Sequence, residues 1–450
     1  MYTTDATVAP PHSSSRPSSA PAVYLRLSRT RVVIFTLVLV ASWFALFGWG
    51  LSRPRIASTA TTATPPATTA TSETSTAATA PTTTASVSKS AKGPWGDLEI
   101  TPIDIEPPAD AADRFATVDT STWYFRDVTD AATLSQLLQK TPGLTDAQRD
   151  ALLACARPDT TEKGMTVKPE PSTILSLAPQ ARAALYAILA ANPRNPQCEP
   201  FRHRREAGED WLADTGLPED ILSVVRRLVY RRGDMDAFVD VSVIVPCLKT
   251  DAQRETLFRV LASQSGLLVR LRVHARSDLK ELTRYWGLNG RERDVGPLLE
   301  SLSRLDDPRG SVVNVVQLLP PFARSRLYTF PPLEGSSPNG RMDCHWTSFN
   351  FWSTTTPDDQ YSTPGYVSKQ ATEAYHPIPK LEQLGDLIFL INARGEGIHS
   401  AIYIADDIVF TKNGSSMAAP WIFMRLKDLT TYYETNGAVK TMFFRKNGVF

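Results

Sequence analysis

Val32–Leu51 is a twenty-residue apolar run without a charge. Such a run is long enough to cross about 30 Å of hydrocarbon. Arg26, Arg29 and Arg31 precede it, Arg53 and Arg55 follow, and Trp43, Phe47 and Trp49 lie toward its far end. Aromatic residues suit the membrane interface, and the small arginine excess favours an inside N-terminus. The competing readings are a buried core helix and a cleaved signal peptide, whose apolar region spans only about 7–15 residues. We expect an uncleaved transmembrane helix at 32–51. The segment 1–31, rich in Ser, Pro and Ala over its first part, reads as a disordered cytoplasmic tail. Residues 52–92 are mostly Thr, Ala, Pro and Ser, and read as an extended linker.

Beyond the linker, residues 93–117 contain Trp95, Pro102, Pro107 and Pro108, and suggest a strap or short extended segment. Helical periodicity then dominates to about Tyr230: Ala131–Gln139, Thr145–Ala156 with Thr145 or Asp146 as cap, Ala178–Ala191 and Pro218–Tyr230. The region 93–240 is therefore expected to be mainly helical. Val241–Leu248 is β-branched and partly alternating, which predicts a strand. A helix from Thr250, a strand over Gly266–His274, helices over Ser277–Trp286 and Asp294–Leu305, and a short apolar segment at Val312–Leu319 make 241–320 a mixed α/β region of unassigned role. The last region, 321–450, alternates short apolar runs with turns. Gly385-Asp386-Leu-Ile-Phe-Leu-Ile391 and His399-Ser400-Ala-Ile-Tyr-Ile404 read as strands. Asp406-Asp407 turns the chain, and Ile408-Val-Phe-Thr-Lys-Asn413 returns beside the histidine.

Composition narrows the classes. Lys+Arg 48 against Asp+Glu 47 leaves a net charge of +1, without the basic bias of a nucleic-acid partner. Arg226, Arg227, Arg231 and Arg232, with Arg270, Arg272 and Arg276, read as a solvated face before an anion site. Four cysteines (Cys155, Cys198, Cys247, Cys344) are too few for a disulfide scaffold, and no C-x-x-C pair suggests zinc. Cys155 and Cys198 are candidates to pair with each other. No Gly-x-Ser-x-Gly elbow or phosphate loop is present, so serine-hydrolase and nucleotide chemistry lack support.

The candidate chemistry lies in Asn339-Gly-Arg-Met-Asp-Cys-His-Trp-Thr-Ser-Phe-Asn-Phe-Trp352. Cys344 falls at an expected helix start, where the macrodipole favours thiolate. A thiolate nucleophile needs a base, and the base needs an orienting partner. His345 is adjacent, but neighbouring helix residues point about 100° apart. His376 precedes Pro377 in a proline-rich stretch with no expected strand to fix it. His399 begins a strand, which gives its imidazole a rigid direction. Asn413 is our choice for the orienting residue, Thr411 an alternative, and Lys412 a poor one, because a cation opposes the imidazolium. Trp421, Tyr432 and Tyr433 read as packing residues.

Asp-Cys at a helix start, then Gly-Asp-Leu-Ile-Phe, then His-Ser-Ala-Ile-Tyr-Ile-Ala, with 55 residues from Cys344 to His399, resembles the NlpC-type papain-like cysteine peptidases. The resemblance covers the C-terminal region only. It implies a papain-like α+β domain at 321–450, a helix packed on an antiparallel sheet. It also implies Cys344 as nucleophile, His399 as base, a third residue near Thr411–Asn413, and peptidoglycan peptides as substrates. The chain departs from the family in placing His345-Trp346 after the cysteine and in lacking a histidine at the third position. Tyr328 is a weak candidate for the tyrosine found upstream, and the Cys344 backbone N–H is the more general oxyanion donor. The expectation is a single-pass membrane protein with its thiol-hydrolase domain outside the cytoplasm and no metal or organic cofactor. The alternatives are an acyltransferase of the same fold and a catalytically silent binding or scaffold protein at the cell envelope.

Overall fold

The structure, a computed structural model, describes residues 87–109, 119–192, 194–204, 211–213, 215–305, 309–332, 342–434 and 437–449. The tail at 1–31, the expected membrane helix at 32–51 and all but the end of the linker lie outside these residues. Among the described residues, no helix is long and apolar enough to cross a membrane.

The described chain is α+β, its helices set against antiparallel sheets. The largest sheet has the strand order Tyr375–Ile378, Lys440–Lys446, Leu387–Ile391, Gly397–Ala405, Ile408–Lys412, Trp421–Arg425. Leu387–Ile391 is apolar and buried at every position, as a strand covered on both faces must be. Leu387, Phe389 and Ile391 meet Trp346 and Phe349 of the helix Cys344–Phe349 on one face. Ile388 and Leu390 join Ala401, Val409 and Leu429 on the other, under the helix Leu426–Tyr433. Removing each large side chain from water contributes roughly 1.5–3 kcal/mol, so this strand anchors both layers.

A second sheet has the order Ser88–Lys89, Asp97–Ile105, Gln264–Val273, Ser311–Asn314. The strap expected over 93–117 therefore contains a nine-residue strand, with Leu98 and Ile100 fully buried. Its alternation changes at Pro102, which carries no N–H donor: Pro102 and Asp104 are exposed and Ile103 is half-buried. The Gln264–Val273 strand matches the expected one within two residues.

Val241–Leu248 is not a strand. Val241–Ile244 is a short helix, continued by a 3-10 turn at Val245–Cys247. Two causes outweigh the β-branched pattern. Buried Asp240 bonds Arg182 Nη1 and the Tyr186 hydroxyl, each at 2.6 Å, and its carbonyl accepts from Val243, turning the chain. Pro246 then offers no ladder donor. The region 93–240 also holds two three-stranded sheets besides its helices.

The buried apolar clusters divide the chain elsewhere than at the expected boundaries of 240 and 320. One cluster runs from Trp123 to Ala262 and takes in Ala418. The other joins Leu98, Ile100 and residues 269–327 to the C-terminal sheet. The 241–320 region is thus shared between an upstream unit and the C-terminal unit. No disulfide joins Cys155 to Cys198.

Candidate active site

Asp343 caps the cysteine helix: its side chain accepts from the Trp346 backbone N–H at 2.9 Å. Thr347 Oγ1 donates to the Asp343 carbonyl at 2.7 Å and accepts from Trp421 Nε1 at 2.9 Å. The helix is only six residues long, and all six are buried. Burial first, and the Asp343 carboxylate second, push the Cys344 thiol well above its ordinary range. The expected thiolate-favouring field of the helix start is therefore overridden. Desolvation of the charged form outweighs the partial charge of one short helix end. The backbone N–H groups of Ser400 and His345 act the other way and favour the thiolate.

Ser400 seats this helix on the sheet. Its hydroxyl lies 3.2 Å from the Cys344 carbonyl and 3.1 Å from Ser348 Oγ, and His345 Nδ1 is 2.9 Å from it. Sequence reasoning passed over Ser400, although strand alternation puts it on the face opposite His399 and toward the helix. His345 is buried against the sheet, and burial lowers its pKa to about 4.

His399 is fully buried, on the side of the sheet that carries the Leu426–Tyr433 helix. Its Nε2 lies 2.8 Å from Thr411 Oγ1 on the next strand. Tyr433 stacks on the imidazole with ring centroids 4.2 Å apart. Nδ1 has no hydrogen-bond partner. Burial, with His345 nearby, holds the ring neutral far below the usual histidine range. The tautomer in which Nε2–H donates to Thr411 leaves a lone pair on Nδ1. The thiol meets the Ser400 backbone, one residue from His399, but no hydrogen bond joins thiol to imidazole.

Asn413 is the expected third residue, but Thr411 is the one hydrogen-bonded to His399. Asn413 makes no hydrogen bond to His399: its Nδ2 lies 3.1 Å from Met424 Sδ, and its Oδ1 is unpartnered. It sits one step past the strand, which ends at Lys412. Thr411 holds the position instead. Lys412 is buried, donates to the carbonyls of Gly414 and Ser416 at 2.9 Å each, and is lowered by burial to about 8. Tyr328 donates its hydroxyl to the Leu267 carbonyl at 2.6 Å, an architectural contact. His376 does lie in a strand, at the sheet's edge, with Nδ1 2.8 Å from Asn447 Oδ1.

The Gly385-Asp386 pair is architectural as well. Gly385 has φ +91°, and a Cβ there would come within 2.1 Å of Trp352. Asp386 takes Arg445 through two hydrogen bonds of 2.7 and 2.8 Å and accepts from the backbone N–H groups of Glu382 and Gln383. Among the described residues, no group of three His, Cys, Asp or Glu side chains could hold a metal ion. No protein-family model matches the chain, and neither a curated protein nor a solved structure does.

Proposed function

We propose that the chain is a membrane-anchored thiol hydrolase of papain-like, NlpC-type fold, cleaving amide bonds in peptidoglycan peptides outside the cytoplasm. The carrying observation is the buried His399–Thr411 pair, 2.8 Å apart on adjacent strands, with a lone nitrogen left over. A histidine held at one nitrogen and unpartnered at the other is what a general base requires. Cys344, at a helix start that meets the same strand, supplies the nucleophile. In the reaction, the thiol and the imidazole, which are not hydrogen-bonded in the closed site, must first meet; Nδ1 then takes the thiol proton as sulfur adds to the amide carbonyl. The C–N bond then breaks, the imidazolium protonates the leaving amine, and a thioester remains. Water adds with His399 again as base, the C–S bond breaks, and the acid and free thiol are released.

Burial of both side chains favours a second reading, a silent papain-like module that binds cell wall. Purified cell wall separates the two, with bound protein and released amine measured side by side. The hydrolase reading predicts that the wild type releases amines and that Cys344→Ala binds equally without release. Equal binding by both proteins with release by neither supports the scaffold.

A further inference from the structure

The thiol site is closed, and the upstream unit holds two segments beside it. Cys344 is 7% exposed and His399 is not exposed at all. Tyr433 covers the imidazole, and its neighbour Tyr432 is held from across the unit boundary. Arg202 Nη1 donates to the Tyr432 carbonyl at 2.9 Å, and its guanidinium lies 4.1 Å from the centre of the Tyr432 ring. Three residues earlier, Glu199 Oε1 accepts from Ser415 Oγ at 3.2 Å and from the Ser415 N–H at 3.4 Å. Ser415 belongs to the loop whose Gly414 and Ser416 carbonyls hold Lys412. Both contacts come from one arm, residues 196–204, whose far end Phe201–Arg204 is a strand paired with Met235–Phe238.

We infer that this arm is a cover, latched at Glu199–Ser415 and Arg202–Tyr432, which must part before substrate reaches Cys344. The inference rests on the thiol reading of the site. Its bonds are polar, and the Glu199–Ser415 contact is solvent-exposed, so water can replace them at modest cost. The closed seam is also incompletely satisfied. On the arm itself, Gln197 Oε1 and Nε2 and Arg202 Nε are buried without partners. Each regains a hydrogen bond to water when the arm lifts, so opening relieves a deficit that closing creates. A purely architectural interface would gain by pairing these groups. A membrane-tethered hydrolase held shut in this way turns over slowly, from the open state alone, until something displaces the arm.

The test is the alkylation rate of Cys344 by iodoacetamide in the full chain, read by peptide mapping so that Cys155, Cys198 and Cys247 are scored separately. Arg202→Ala and the milder Ser415→Ala are compared with wild type. Loss of a charge-assisted bond should speed Cys344 labelling about tenfold in Arg202→Ala. Ser415→Ala should give a smaller rise, and Cys155 should label as in wild type. Unchanged Cys344 labelling in both variants overturns the latch, as does equal acceleration at Cys155 in both, which would mean general loosening. The readout needs no turnover. Faster labelling without any amine release from cell wall retains the cover and removes the hydrolase; release with unchanged labelling does the reverse.

Discussion

Thr411 rather than Asn413 holds His399, and the reason lies in one residue's direction. Positions 409 and 411 face the side of the sheet that carries His399, Ala401 and Tyr403, set by the pairing Ile402↔Phe410 and Tyr403↔Val409. That register depends on how the Asp406-Asp407 turn closes, which residue types alone did not fix. Lys-Asn-Gly was the stronger polar signal in the sequence, but it is the turn that ends the strand. Cys344 and His399 were legible because each sits in a distinctive run, whereas Ser400 was not, because a serine in a strand carries no signal. Thr411→Val keeps the shape and removes the hydroxyl. It should lower amide hydrolysis on the order of 10- to 100-fold by freeing the imidazole to turn, while Asn413→Ala leaves the rate near wild type. Steady-state rates on cell-wall peptides decide it; the opposite order would restore Asn413.

At the scale of elements, the C-terminal strands were readable because both of their faces are buried. A continuous apolar run such as Leu387–Ile391 admits few other readings. Val241–Leu248 misled because a buried ion pair one residue upstream, Asp240–Arg182, governs the backbone there. That pair joins residues 58 apart, and no local pattern announces it. The cysteine helix shows the same limit: its start was legible, its burial was not. Asp343 both caps this helix and raises the thiol pKa. Asp343→Ala should therefore cost about 1 kcal/mol of stability and shift the pH profile of Cys344 alkylation to lower pH. Urea unfolding and alkylation rates across pH measure the two effects. An unchanged or upward shift would remove the carboxylate as a cause.

For the whole molecule, three desolvated histidines, His345 and His399 buried and His203 half-buried, set the response to acid. Burial lowers His203 and His345 to about 4, and holds His399 well below its usual value. The unfolded chain binds these protons near its ordinary value of 6.5, whereas the folded chain resists until about pH 4. Their stabilisation is therefore complete above about pH 6.5 and falls as pH drops toward 4, by an order of 3 kcal/mol for His345 alone. Lys412, lowered to about 8, acts in another window: stability should rise from about pH 8 toward 10.5. Urea midpoints should decline between about pH 6.5 and 4, less steeply in His345→Gln. A flat profile would mean that water reaches these rings.

The claim that Cys344 performs amide hydrolysis meets its most direct test with the cover loosened. Amine release from purified cell wall would be measured for Arg202→Ala, and for Arg202→Ala carrying Cys344→Ala. The account predicts release by the first, faster than by wild type, and none by the second at matched stability. Equal release by both proteins, or none by either while Cys344 alkylates freely, would contradict it.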